Sequence, residues 1–172
     1  LITIRPETPE DAAVISEINR EAFGGDTEPN LVRAIRESEH FIPELSLVAE
    51  LDGETVGHIL FSRISVHDSD QVHSALSLAP MAVIPPFQRR GIGTQLVKYG
   101  LEECRRLNNK IVVVIGHPDY YPRFGFKPAR DYDLELEFEV PDEAFMVIEL
   151  EDDALKDVRG VVKYPPAFDT AS

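Results

Sequence analysis

The sequence predicts a mixed α/β domain, a mostly antiparallel sheet with one parallel β-α-β crossover and helices packed against it. Three observations carry that expectation. Alternating apolar segments joined by polar turns such as Asp52-Gly53 read as antiparallel hairpins. Residues 76–115 instead read strand, glycine-rich turn, helix, strand, the order that brings two strands parallel. The last strand of that unit, Ile111-Val112-Val113-Val114-Ile115, is an unbroken apolar run, as expected of a strand covered on both faces.

The elements follow in order. Leu1 to Arg5 alternates like an edge strand, and Thr8-Pro9-Glu10-Asp11 opens a helix with an N-cap threonine, a proline at the first position and an acid at the third. That helix runs to about Phe23, where Gly24-Gly25 ends it. Thr27 to Glu37 reads as a shorter helix with Leu31, Val32 and Ile35 inward. Leu45 to Glu50 and Thr55 to Val66 make a hairpin. A polar loop around Asp68-Ser69-Asp70 leads to a strand through Leu76, Leu78 and Met81 to Ile84. The following helix carries Leu96, Gly100, Leu101, Cys104 and Leu107 at three- and four-residue spacing. After Ile115, His117 to Tyr121 predicts a short helix and Gly125-Phe126 a turn. Leu134, Leu136, Phe138 and Val140 alternate with acids as a half-exposed strand, Phe145 to Leu150 is another, and Gly160 to Tyr164 is a last edge strand.

A chain of 172 residues with 43% apolar content can bury one self-sufficient core, so a single domain over 1–172 is expected. No apolar run approaches the roughly 20 residues that span a bilayer, so no membrane partner is expected. The single cysteine, Cys104, excludes an internal disulfide and a cysteine-based zinc site and fits a cytoplasmic location. His40, His58, His67 and His73 have no metal-ligand spacing, so no metal is expected. A net charge of −14 argues against nucleic acid, which is bound by neutralising phosphates with Lys and Arg. Residues 88–110 nevertheless carry six basic residues against two acids, a net of +4, whereas 131–153 carry eleven acids and no base. Such a division suits a phosphorylated cofactor and a cationic second substrate, or simply two solvated faces.

Within Gln88-Arg89-Arg90-Gly91-Ile92-Gly93-Thr94, two glycines open a helix directly after a strand, which leaves backbone N–H groups free to bind phosphate oxygens. A P-loop would need lysine before the Ser or Thr, where Gly93 stands, and a dinucleotide turn would need a third glycine, where Leu96 stands. Met81-Ala82-Val83-Ile84-Pro85 followed by Gln88 to Gly93 resembles the acetyl-CoA-binding motif of the GNAT superfamily of N-acetyltransferases, a Q/R-x-x-G-x-G/A turn after a strand. Tyr121-Pro122-Arg123-Phe124-Gly125-Phe126 is similar to that family's Y-x-x-x-G-F segment. His117 to Tyr121 and Val140 to Met146 resemble its bacterial YhbS-like group.

The resemblance implies an acyl-CoA N-acyltransferase fold with helices on both faces, a coenzyme-binding core at about 76–126, and acetyl-CoA as co-substrate for acetylating an amine on a small molecule or peptide. The alternative is an acyl-CoA-binding regulatory domain without turnover; the assembly is expected to be a monomer or homodimer. Implied coenzyme contacts are Met81, Ala82, Val83, Gln88, Arg89, Arg90, Gly91, Ile92, Gly93, Thr94, His117 and Tyr120. The N–H of Val83 or Ala82 would polarise the thioester carbonyl, and Tyr121 would protonate the leaving thiolate, with Tyr120 as the alternative. At the positions where many members carry asparagine and alanine, this chain has Val114 and His117; the histidine either replaces a donor or caps the short helix. The general base stays open among Glu28, Glu50, Asp119, Asp133 and a water chain. Asp133, Glu135, Glu137 and Glu139 on one face of the acidic strand would draw in a cationic acceptor.

Overall fold

Asp11 fixes the first crossing from strand to helix. Its carboxylate accepts the Thr8 N–H at 2.6 Å and two bonds from Arg5 at 2.7 and 3.0 Å, and the Arg5 guanidinium, with the Thr8 donors, holds its pKa down at about 2. The structure is a computed structural model and describes residues 1–171; Ser172, the last residue of the expected domain, lies outside the described residues. Its elements are β1 (Ile2–Pro6), α1 (Ala12–Phe23), α2 (Thr27–Arg36), β2 (Ser46–Leu51), β3 (Glu54–Asp68), β4 (Gln71–Val83), α3 (Ile92–Arg106), β5 (Ile111–Ile115), β6 (Lys127–Pro128), β7 (Leu134–Leu136), β8 (Phe145–Glu149) and β9 (Gly160–Lys163). The strand order is β1-β2-β3-β4-β5-β8-β6. The crossover β4-α3-β5 brings its strands parallel, as expected.

Alternation along β2 and β3 divides the core. Leu47, Ala49, Ile59 and Phe61 face Leu96, Val97, Leu101 and Cys104 of α3, whereas Val48 and Leu60 face Ile15, Leu31, Val32 and Ile35 of α1 and α2. Helices therefore cover both faces. Each fully buried Leu, Ile or Phe in these layers contributes about 1.5–3 kcal/mol. A third apolar cluster, with Ile64, Val66, Val113, Leu134, Phe145 and Val162, closes the far end of the sheet.

Four elements depart from the sequence expectation. The β3–β4 hairpin is longer than expected, because β4 starts at Gln71 and the polar loop shrinks to a turn at Ser69 and Asp70. The helix expected over His117 to Tyr121 begins only at Tyr121, as a 3-10 turn over Tyr121–Phe124, since Pro122 has no N–H to give to a longer helix. The expected acidic strand stops at Leu136. Asp133 is left-handed (φ 59°), residues 137–140 bend away, and Phe138 is 48% exposed, so Asp133, Glu135, Glu137 and Glu139 do not share one strand face. Finally, β9 is an interior strand: it pairs antiparallel with β3 at residues 65–67, beyond the reach of β2, and parallel with β7.

Candidate functional site

The site begins with a one-residue slip. Ile59 of β3 pairs with Met81 but Phe61 pairs with Leu78, so β4 carries an extra residue at Ala79 and Pro80. On its other edge β4 pairs with β5 only at Leu76 with Val112 and Ser77 with Val113; β5 then follows β8 and β4 follows β3. The strands part, and a cleft of about 970 Å³ opens between them. Ile84 donates its N–H to Val56 of β3 at 3.0 Å. Backbone groups alternate along a strand, so Val83, not Ala82, turns its N–H and C=O to the open edge. Gln88 Nε2 donates to that Val83 carbonyl at 2.8 Å.

The turn after β4 forms the next wall. Arg89 (φ 65°) and Gly91 (φ 81°) are both left-handed, which curls the chain into a concave run of amides. The first amide at the start of α3 to find an acceptor is Gln95, which donates to Gly91 at 3.1 Å. Among the described residues, the six preceding N–H groups, Arg89 to Thr94, have none. Together with the positive end of α3, these amides fit phosphate oxygens. The glycines have separate reasons. Gly91 meets a backbone requirement, with nothing within 4 Å of an added Cβ, whereas a Cβ on Gly93 would lie 3.1 Å from Met81 Cε.

Two adjacent tyrosines form the opposite wall. Tyr120 and Tyr121 draw their N–H groups to the His117 carbonyl at 3.1 and 3.3 Å, so His117 caps the turn through its backbone while its side chain is exposed in the cleft wall. Tyr121 is 9% exposed and packs edge-on against Tyr120 and Phe126. Gly116 makes room for it: a Cβ there would lie 2.5 Å from Tyr121 Cε2. Burial pushes the Tyr121 hydroxyl up to about 12, which keeps it protonated. Tyr120 shares a hydrogen bond with Thr94 Oγ1 at 3.1 Å, and Arg123 stacks on its ring at 4.5 Å.

Residues 12–126 match the Acetyltransferase (GNAT) family. The chain belongs to that family. It is 37% identical over 166 residues to the uncharacterized N-acetyltransferase YhbS of Escherichia coli K12, covering 96% of this chain and 97% of that one. To the uncharacterized N-acetyltransferase YjhQ of the same organism it is 42% identical over 137 residues, 77% of this chain and 74% of the other. The crystal structure of E. coli YhbS in complex with CoA superposes with a TM-score of 0.90 at 35% identity, over 98% of this chain and 92% of that chain. A GNAT acetyltransferase from Brucella melitensis in complex with acetyl-CoA gives 0.80 at 32% identity, over 98% and 99%.

Of the coenzyme contacts expected for this GNAT chain, Met81, Ala82, Val83, Gln88, Arg89, Gly91, Ile92, Gly93, Thr94, His117 and Tyr120 all line the cleft, and so does Tyr121. Arg90 does not; it is exposed, with its guanidinium 5.0 Å from the Phe87 ring centroid. Within residues 88–110, Arg105 and Arg106 pair with Glu102 and Glu103, so the net +4 rests on Arg89, Arg90, Lys98 and Lys110, the last of which pairs with Glu151 outside the segment. Of the candidate bases only Glu28 reaches the cleft. Glu50 pairs with Arg5, Asp119 is exposed outside the lining, and Asp133 ends the turn before β7, also outside the lining. None of the acids at 131–153 lines the cleft. Sequence reasoning missed Ala22, Phe23, Leu31, Phe87 and Arg123 in the lining. Phe23 had a signal: an aromatic residue directly before Gly24-Gly25 has little helix left to pack on.

Proposed function

We propose that the protein transfers an acetyl group directly from acetyl-CoA to an amine. The observation that carries this reading is the run of six acceptor-free amides, Arg89 to Thr94, at one side of a cleft whose other wall holds a buried, protonated tyrosine. The residues fit the co-substrate: amides and Arg89 for the pyrophosphate, the freed edge of β4 for the amide-bearing pantetheine arm, Tyr121 near its end. When bound, acetyl-CoA supplies an activated acyl carbon and a thiolate leaving group.

The chain's own groups then divide the work. The Val83 N–H, left without a strand partner, donates to the carbonyl oxygen on which charge develops. The acceptor reaches the cleft mostly as an ammonium, since an alkyl amine has a pKa of about 10.4, and must lose a proton before its lone pair attacks. As the C–N bond forms and the C–S bond breaks, Tyr121 gives its proton to the sulfur, and the amine's remaining surplus proton returns to the tyrosine through water. The sum is one acetamide, one free thiol and one proton released.

A thiol-release assay with acetyl-CoA and a panel of amines tests the reading. Amine-dependent release of CoA, with acetylated product seen by mass spectrometry, is the expected result. Saturable acetyl-CoA binding without release would instead make the domain an acyl-CoA-binding regulator.

A further inference from the structure

The cleft passes through the sheet. One mouth lies at the start of α3; the other is bounded by the end of α1 and the first turns of α2, on the opposite sheet face, where Leu31 packs with Val48 and Leu60. The first mouth carries Arg89 and the free amides. The second is different in chemistry: Phe23, Leu31 and Pro80 give it an apolar wall. Phe23 stays 46% exposed there, a large aromatic face left for something to cover.

One charge interrupts that wall. Glu28, in the first turn of α2, is the sole carboxylate in the cleft lining, where the other ionisable side chains are Arg89, His117, Arg123 and the two tyrosines. It is half-buried, and among the described residues no hydrogen bond or ion pair occupies it: Arg20 and Arg36 have other carboxylate partners, and Arg33 donates to Asn30. An unpaired carboxylate beside apolar surface favours a single ammonium, because a charge-assisted hydrogen bond satisfies both groups. A second positive charge on the ligand would meet either apolar side chains or Arg89 and Arg123.

We infer that the acceptor is a primary amine on an alkyl or aryl body, its ammonium held by Glu28 and its body covered by Phe23 and Leu31. This rests on the acetyl-transfer reading for the identity of the site as the acceptor's, but the binding itself can be tested apart from turnover. Polyamines and short hydroxylated amines are disfavoured, the former by charge and the latter by the lack of polar partners around the body.

Protein saturated with CoA is titrated calorimetrically with hexylamine, 2-phenylethylamine, ethanolamine and spermidine, and the same amines are then offered with acetyl-CoA. Hexylamine and 2-phenylethylamine should bind at least about tenfold more tightly than ethanolamine or spermidine, since each methylene buried against the apolar wall adds to the affinity. Glu28→Gln, which keeps the side-chain shape, should weaken both apolar amines about tenfold or more with CoA affinity unchanged. Phe23→Ser should erase the preference for an apolar body while the fold, followed by circular dichroism, is kept. Equal or tighter binding of ethanolamine or spermidine, an unaltered affinity in Glu28→Gln, or no binding of any amine overturns the inference. Apolar amines that bind through Glu28 without being acetylated support this site and overturn the transfer reading. Preferential acetylation of spermidine does the reverse.

Discussion

β4 has two halves that differ by one residue of register. At Leu76 and Ser77 it has β3 on one edge and β5 on the other, with Leu76 1% exposed under α3; past Ala79 and Pro80 it keeps β3 and gives its second edge to a cleft. Support from the opposite face differs as well. Behind the open half, His58 pairs across the ladder with Ala82 and sits in a polar chain: Asn19 Nδ2 at 3.2 Å from its Nδ1, Ser46 Oγ at 3.0 Å from its Nε2, then Glu7 and Arg36. One strand thus serves as core and as binding edge, and the change is made by a bulge, not by a change in residue type.

The largest expected effect tests the core half. Leu76→Ala should cost about 2–5 kcal/mol of stability, because the cavity left between sheet and α3 cannot close. Met81→Ala, in the open half, should cost less than about 2 kcal/mol and weaken acetyl-CoA binding instead. Thermal unfolding and coenzyme titration of the two variants, side by side, would show similar losses in both if the halves were equivalent.

Tyr121→Phe comes next. It keeps the ring in the space Gly116 leaves and removes only the donor, so turnover should fall about ten- to a thousandfold with acetyl-CoA affinity nearly kept. Because the hydroxyl is pushed up to about 12, wild-type turnover should show no loss from its ionisation between pH 8 and 10. If Tyr120→Phe proves the more damaging change, the acid is the neighbour that bonds to Thr94.

His58 gives a smaller and pH-dependent effect. Burial drives its pKa down to about 3, with the Arg36 charge adding to the shift, whereas an unfolded histidine titrates near about 6.5. Below pH 6.5 the unfolded chain binds a proton that the folded chain refuses, so stability is full above that value and falls as pH drops toward 3. The slope is at most about 1.4 kcal/mol per pH unit. Urea unfolding at pH 5 and 6.5 should show this slope in the wild type and a flatter one in His58→Gln; identical slopes would mean that His58 is not held neutral.

How much of this was legible in the sequence differs between the same regions. The Gln88 to Thr94 turn was readable because its requirements are local: left-handed backbone at Gly91 and a helix starting one residue later. The crossover was readable because Ile111 to Val114 are apolar on both faces, and all four are buried. The bulge at Ala79-Pro80 leaves only a proline as a trace, so the exact place of opening was not. Alternation misled at 134–140, where the period of two persists in the letters but the chain bends after Leu136, with Phe138 packing near Tyr164 at 5.8 Å between ring centroids. The mouth beside α1 and α2 was least legible, since Phe23, Glu28 and Leu31 come from helices whose approach to β4 no local pattern encodes.

The smallest effect concerns charge. Arg89→Ala should weaken acetyl-CoA binding about threefold to tenfold and reduce its dependence on salt, while Arg90→Ala, outside the cleft lining, should do less on both counts.

Backbone hydrogen exchange, measured residue by residue with and without acetyl-CoA, tests the central claim most directly. The six amides of Arg89 to Thr94 and that of Val83 exchange freely in the account given, for want of acceptors, and saturating acetyl-CoA should slow them more than the amides of the paired half of β4. Protection confined to other segments, or absent at 89–94 while acetyl-CoA is bound, would contradict it.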